Sequence, residues 1–275
     1  MRRTSILALA ITLGALPLQA QRNSDLDDGH WMENCRDSWG DRDRGRACEV
    51  RDVPTKIDGH ALEVDGRENG GIRVVAWDGS SVKVTARLQA SGRNDADAHD
   101  VLKDVRIELE GNRLHANGPR SGGNWRDRES WSVSYVIMVP RRFDLTLDAN
   151  NGALNVTGVT GKLDLRTMNG SVNISDVGGD VHARTQNGSL NVELAGTKWD
   201  GTGLSAETQN GSVRMSIPAR YAATIETGTV NGHVNTDFPV TVSGRISRQM
   251  SLPLNGGGTT LRATTTNGSV TLSQR

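Results

Sequence analysis

The stretch Leu163–Leu194, LDLRTMNGSVNISDVGGDVHARTQNGSLNVEL, is one phrase said twice. The phrase is apolar-x-apolar-x-Thr-x-Asn-Gly-Ser-apolar-x-apolar. Its two Asn-Gly pairs, Asn169-Gly170 and Asn187-Gly188, stand 18 residues apart. The motif recurs at Asn151-Gly152, Asn210-Gly211, Asn231-Gly232 and Asn267-Gly268, with successive spacings of 18, 18, 23, 21 and 36. A period of about 20 residues marks a repeat architecture. Within each unit Leu163, Leu165 and Thr167 share one face and Asp164 and Arg166 the other. That period of two means strands. Asn and Gly both tolerate positive φ, so each pair is read as a sharp corner.

Two architectures fit. If each Asn-Gly is a hairpin, the sheet is an antiparallel meander and Leu165 faces Ile174. If it is the corner of a coil, Leu165 lies over Ala183 and Ile174 over Val192, each rung pairing with the next at about 4.8 Å. A meander leaves near-identical corners unexplained, whereas stacking needs like over like. The expectation is therefore an all-β, single-stranded β-solenoid with rungs of 18 residues, its corner asparagines forming a hydrogen-bonded ladder.

Residues 149–275 carry the regular repeat. Extra residues near Gly196–Gly203, Trp199 among them, predict a bulged loop. The doubled spacing after Asn231 holds Pro239, Pro253 and Asn255-Gly256-Gly257-Gly258, and predicts a rung with a degenerate corner and a flexible loop. The chain stops just after Leu272, so the last rung is expected to lie uncovered and to offer a surface for end-to-end self-association. Residues 60–148 alternate in the same way without a strict period. They are read as a strand-rich cap with the earliest rungs, because a solenoid must cover its raw edges. Asn94–Val105 is the helix candidate there, with Asn94 or Asp95 as N-cap.

Residues 21–59 form a polar extension, of which Asn23–Asp52 is expected to be poorly structured or loosely stapled. Its Cys35 and Cys48 are expected to form a disulfide in an oxidising compartment, closing a loop worth about 3 kcal/mol on the chain-entropy estimate. Residues 1–20 read as a secretory signal peptide: Arg2-Arg3, an apolar run over Ile6–Leu16, and a small residue at Ala20. The mature chain then has no apolar run long enough to span a membrane. With Arg2 and Arg3 removed, the 32 acidic residues outnumber the basic ones, which argues against a nucleic-acid partner.

No catalytic, cofactor or metal site is nominated. The six histidines form no HExxH pair, and neither a Gly-x-Ser-x-Gly elbow nor a phosphate-binding loop is present. Acids facing outward from the rungs are scattered. Arg166 and Arg184 are 18 apart and could stack into a stripe for anions or acidic sugars. The segment containing Trp125, Arg126 and Arg128 is the other candidate contact, since Trp and Arg suit sugar stacking. Asn-Gly-Ser at Asn169, Asn187, Asn210 and Asn267 also fits the N-glycosylation pattern, but its recurrence at a structural corner explains it better. The Asn-Gly pairs are candidates for deamidation.

Ile72-Arg73-Val74, Ala76-Trp77-Asp78, Val82-Lys83-Val84, Val136–Pro140 and the serial Asn-Gly-Ser corners together resemble the bacterial putative-adhesin domain family over roughly residues 60–275. The resemblance implies a right-handed, β-helix-like solenoid, exported to the periplasm or cell surface. The expected role is non-catalytic, binding or structural, toward a polysaccharide or envelope protein. A glycan-acting envelope enzyme and a self-assembling solenoid are the alternatives.

Overall fold

The computed structural model describes residues 27–37, 44–67, 69–119, 129–239 and 249–275. The chain divides into two units, residues 1–38 and 39–275. The described part of the first is one helix, α1 (Asp28–Asp37), whose start is held by Asp27 Oδ1 accepting from the Gly29 and His30 N–H groups. The leader segment 1–20 lies outside the described residues, as do Trp125, Arg126 and Arg128.

The described residues of the second unit are all-β apart from one helix. Its early strands are β1 (Gly45–Val53), β2 (Ala61–Asp65), β3 (Ile72–Trp77), β4 (Lys83–Gly92), β5 (Arg106–Glu110), β6 (Arg113–Asn117) and β7 (Ser130–Pro140). The middle strands are β8 (Asp144–Asn151), β9 (Leu154–Thr157), β10 (Thr160–Asn169), β11 (Val172–Ser175), β12 (Gly178–Asn187), β13 (Leu190–Glu193), β14 (Gly203–Asn210) and β15 (Val213–Ile217). The last are β16 (Ala223–Asn231), β17 (Val234–Thr236), β18 (Gln249–Leu254), β19 (Thr260–Asn267) and β20 (Val270–Gln274). Helix α2 (Asp95–Asp104) is capped by Asn94, whose side chain accepts from the Asp97 N–H at 3.0 Å. It buries Ala98, Val101 and Leu102 toward β1 and β4.

Two ten-stranded sheets result. Each Asn-Gly corner carries the chain from a long strand in one sheet to a short strand in the other. We call these the long-strand and short-strand sheets. Neighbouring coils pair in parallel, so that Leu165 sits over Ala183 and Ile174 over Val192. The antiparallel meander is thereby excluded for the repeat. Inward side chains from both sheets, among them Leu147, Leu165, Ile174 and Val181, fill one continuous apolar core. The early half adds a first coil, since β2 pairs in parallel with β8 and β3 with β9. Beyond it antiparallel strands close that end: β4 on β7 and β1 on β4 in one sheet, β5 on β6 in the other.

The corner chemistry differs from expectation. Of the six motif glycines only Gly268 has a positive φ. What demands glycine is proximity: a Cβ on Gly170 would lie 2.0 Å from the Gly152 carbonyl oxygen, and one on Gly188 2.0 Å from that of Gly170. The positive φ values fall at the coil's other corner, at Gly158 (75°), Asp176 (53°) and Gly196 (75°). The motif threonine binds the same corner. Thr167, Thr185, Thr208, Thr265 and Thr229 are buried and donate to the glycine carbonyl of the adjacent coil at 2.8–2.9 Å.

Further expectations need correction. The final coil is not exposed: β19 lies between β14 and β16, and β20 between β15 and β17. The coil of β16 and β17 is displaced outward, and β18 pairs antiparallel with β16 to cover its long strand. The spacing of 36 therefore separates adjacent coils in reversed order, with no degenerate rung between them. Asn255-Gly256-Gly257-Gly258 is a pinned turn, Asn255 donating to the Tyr221 and Ala219 carbonyls. Trp199 folds back into the core and donates to the Gly179 carbonyl at 3.0 Å. The segment Asn23–Asp52, expected to be poorly structured or loosely stapled, holds α1 and most of the nine-residue strand β1. Cys35 and Cys48 are both disulfide-bonded.

Candidate functional site

A groove of about 1090 Å³ runs along the outer face of the long-strand sheet. Parallel pairing in register aligns its side chains into rows. One row contains Asp148, Arg166, Arg184 and Glu207. The next is set by Thr146, Asp164, His182 and Ser205. Gln186, Gln209, Thr266 and the exposed apolar residues Met168 and Val230 flank the groove on the Asn-Gly side. The sequence thus placed Arg166 over Arg184 and Asp164 over His182, and the structure brings both pairs into register.

The guanidinium groups do not stand as a bare cationic stripe. Arg166 pairs with Asp164, and Arg184 Nε lies 3.3 Å from Glu207 Oε2. Arg262 meets Glu226 at 2.8 Å, and His182 Nε2 lies 3.3 Å from Asp180 Oδ1. Arg166 and Arg184 remain 57% and 62% exposed, so these pairs contribute little to stability and leave most donors accessible. Asp148 is half-buried beside them. Burial pushes its carboxyl above the usual range, against the pull of Arg166. Its folded value is raised, so the residue costs stability as pH climbs through the carboxylate range and costs none in acid.

The corner beside the groove carries an amide ladder. Each Asn Nδ2 donates to the next Oδ1: Asn169 to Asn151, Asn187 to Asn169, Asn210 to Asn187, Asn267 to Asn210 and Asn231 to Asn267, all at 2.8–2.9 Å. Asn151 continues it to Asn69 at 3.3 Å. The sequence reading missed this last member, although Asn69-Gly70 is in plain view. A second ladder, Asn191 to Asn173 to Asn155, crosses the short-strand sheet. In the sequence only the shared spacing of 18 marks it.

Among the described residues, one group of metal-ligating side chains comes together away from the groove. Ligand atoms of Glu108, Glu110 and His115 lie within 4.8 Å of one another on the β5–β6 hairpin. These groups already satisfy each other in part. Asn117 Nδ2 donates to Glu108 Oε2 at 2.6 Å, and His115 Nε2 lies 3.2 Å from the same oxygen. Of the remaining buried titratable groups, Tyr221 is pushed up to about 12 by burial, and Tyr135 is raised further by the same cause.

Residues 137–273 match the Toastrack DUF4097 family model. The Toastrack match starts inside β7 and ends in β20, so it takes in every regular coil and little of the early cap. No curated protein matches the chain. Among solved structures the chain is similar to a putative cell adhesion protein from Clostridium sporogenes, at 12% identity and a TM-score of 0.42, covering 84% of this chain and 100% of that one. It is similar to a putative adhesin from Bacteroides fragilis, at 12% identity and a TM-score of 0.36 over 83% and 97%. A putative lipid binding protein from Parabacteroides distasonis follows at 11% identity and a TM-score of 0.33 over 83% and 96%.

Proposed function

We propose that this is a non-catalytic, exported binding or structural protein of the bacterial envelope, and that the groove on the long-strand sheet is its contact surface. The observation that carries the reading is the register of the groove. It repeats guanidinium, carboxylate and amide groups at the spacing of the coils, a surface suited to an extended polar chain such as a polysaccharide. Its acids serve as partners of arginines, which favours binding over glycan hydrolysis. No helix among the described residues is long and apolar enough to cross a membrane. We further read the repeat as a single-stranded, right-handed solenoid of 18-residue rungs over residues 149–275, capped by residues 60–148 and released from a leader spanning 1–20. Trp125, Arg126 and Arg128 remain a second candidate contact.

The test is a glycan array and envelope-fraction pull-down with residues 21–275, repeated with Arg166→Ala/Arg184→Ala. Loss of most retained binding in the double variant, with unchanged thermal unfolding, supports the groove. Binding that survives the double substitution removes the groove from the reading.

A further inference from the structure

The Asn-Gly corners are chemically alike in sequence but unequal in the fold. At interior corners the glycine N–H donates to the asparagine carbonyl of the adjacent coil, from Gly170 to Asn187, Gly188 to Asn210, Gly211 to Asn267 and Gly268 to Asn231, at 3.0–3.1 Å. The asparagine side chains of those corners each donate one amide hydrogen bond and accept another. The coil of β16 and β17 is last in the stack. Asn231 therefore donates to Asn267, while its own Oδ1 receives nothing from a further coil, and the Gly232 N–H has no partner among the described residues. Gly232 is exposed, whereas Gly152, Gly170, Gly188, Gly211 and Gly268 are half-buried. Asn151-Gly152 is intermediate: its glycine N–H also has no partner among the described residues, but its amide is held on both sides, by Asn69 and Asn169.

We infer that Asn231 is a built-in site of spontaneous modification, converting to aspartate and isoaspartate ahead of the other five Asn-Gly corners of the repeat. The Gly232 backbone nitrogen gives up its proton to solvent and bonds to Asn231 Cγ. The Cγ–Nδ2 bond breaks and ammonia leaves. Water then opens the resulting succinimide at either carbonyl, so the net change is amide plus water to acid plus ammonia, with no oxidant or reductant. At interior corners the same nitrogen must first leave its hydrogen bond and the side chain must leave a doubly tethered position. Two such bonds together slow the step by about tenfold or more. The product has a structural consequence. A carboxylate at position 231 can no longer donate to Asn267 Oδ1, and it sets a negative charge against that acceptor. Isoaspartate also lengthens the backbone of the corner leading into β17, which has only three residues. Modification should loosen the last coil and leave the interior ones intact. This inference is independent of what the groove binds.

The experiment is a time course of the folded chain in neutral buffer, with peptide mapping by mass spectrometry that separates aspartate from isoaspartate. A parallel series is kept unfolded in urea. In the folded protein Asn231 should convert about tenfold or more faster than Asn169, Asn187, Asn210 and Asn267, with Asn151 between. In urea that lead should collapse to within about threefold, because the bonds that set it are gone. Even conversion across the corners, an interior corner in the lead, or no conversion at all in the folded protein would overturn the inference. So would a lead that persists undiminished in urea, which would assign the effect to His233 following Gly232 in place of the serine found at most other corners.

Discussion

A Cβ added to Gly188 would sit 2.0 Å from the Gly170 carbonyl oxygen, whereas one added to Gly196 would meet nothing within 4 Å. The two residues occupy opposite corners of the repeat. At the Asn-Gly corner, coils approach so closely that the backbone of one fills the space a side chain would need. At the other corner there is space, but φ is 75° at Gly196, a conformation that glycine adopts without strain. Asp176 stands at the equivalent corner one coil earlier with φ at 53°. A side chain is therefore excluded at Gly188 and only disfavoured at Gly196. The excluded corner is also the one with ladders, where the threonine hydroxyl and the asparagine amide tie each coil to the adjacent one.

The sharpest way to break this comparison is to put alanine at both corners. Gly188→Ala should cost about 3 kcal/mol or more, since carbonyl oxygen of the neighbouring coil must move and take its hydrogen bonds with it. Gly196→Ala should cost only about 1 to 2 kcal/mol, the penalty for an L-residue in the left-handed region. Denaturant unfolding of the two variants decides the matter, and equal losses would remove the distinction. Next in size is Thr185→Val. It keeps the buried shape and strips the donor from the Gly170 carbonyl, for a loss of about 2 kcal/mol. Asn187→Ala should lose about 1 kcal/mol in the same assay, because the ladder lies in water and its neighbours can rehydrate. A Thr185→Val loss smaller than that of Asn187→Ala would mean that the amide ladder, not the hydroxyl, holds the corner.

The parallel stack was legible in the sequence because residues 18 apart carry the same chemistry. Leu165 over Ala183 and Arg166 over Arg184 follow directly from that period. The order of the last two coils was not. Spacing along the chain measures the path taken, and here β18 uses part of the path to run antiparallel to β16 before β19 enters the stack. Asn69 escaped notice for a similar reason. It lies 82 residues before its partner Asn151, outside any multiple of the period that the later corners suggest. The groove was legible at its arginines and not at Gln186, Gln209 or Met168, because exposed amides and single apolar residues have no chemistry that marks them in isolation. Glu108 and His115 meet only through the antiparallel pairing of β5 and β6, a register that no repeat announces.

The smallest expected effect concerns Asp176. Substituting glycine relieves the cost of a left-handed backbone, which for an L-residue is about 1 to 2 kcal/mol and is lower for Asp, whose short side chain tolerates that region. It also raises the entropy of the unfolded chain, a loss of about 0.5 to 1 kcal/mol. The backbone bond from the Asp176 N–H to the Glu193 carbonyl, 3.1 Å long, is unaffected by the side chain. The two contributions nearly cancel, and Asp176→Gly should leave stability within about 0.5 kcal/mol of the parent. The same measurement sharpens the comparison between corners from the permissive side. A loss of more than about 1 kcal/mol would show that the Asp176 carboxylate makes a contribution to its corner that conformation alone does not supply. A near-zero value would leave φ as the sole requirement there, and space as the requirement at Gly188.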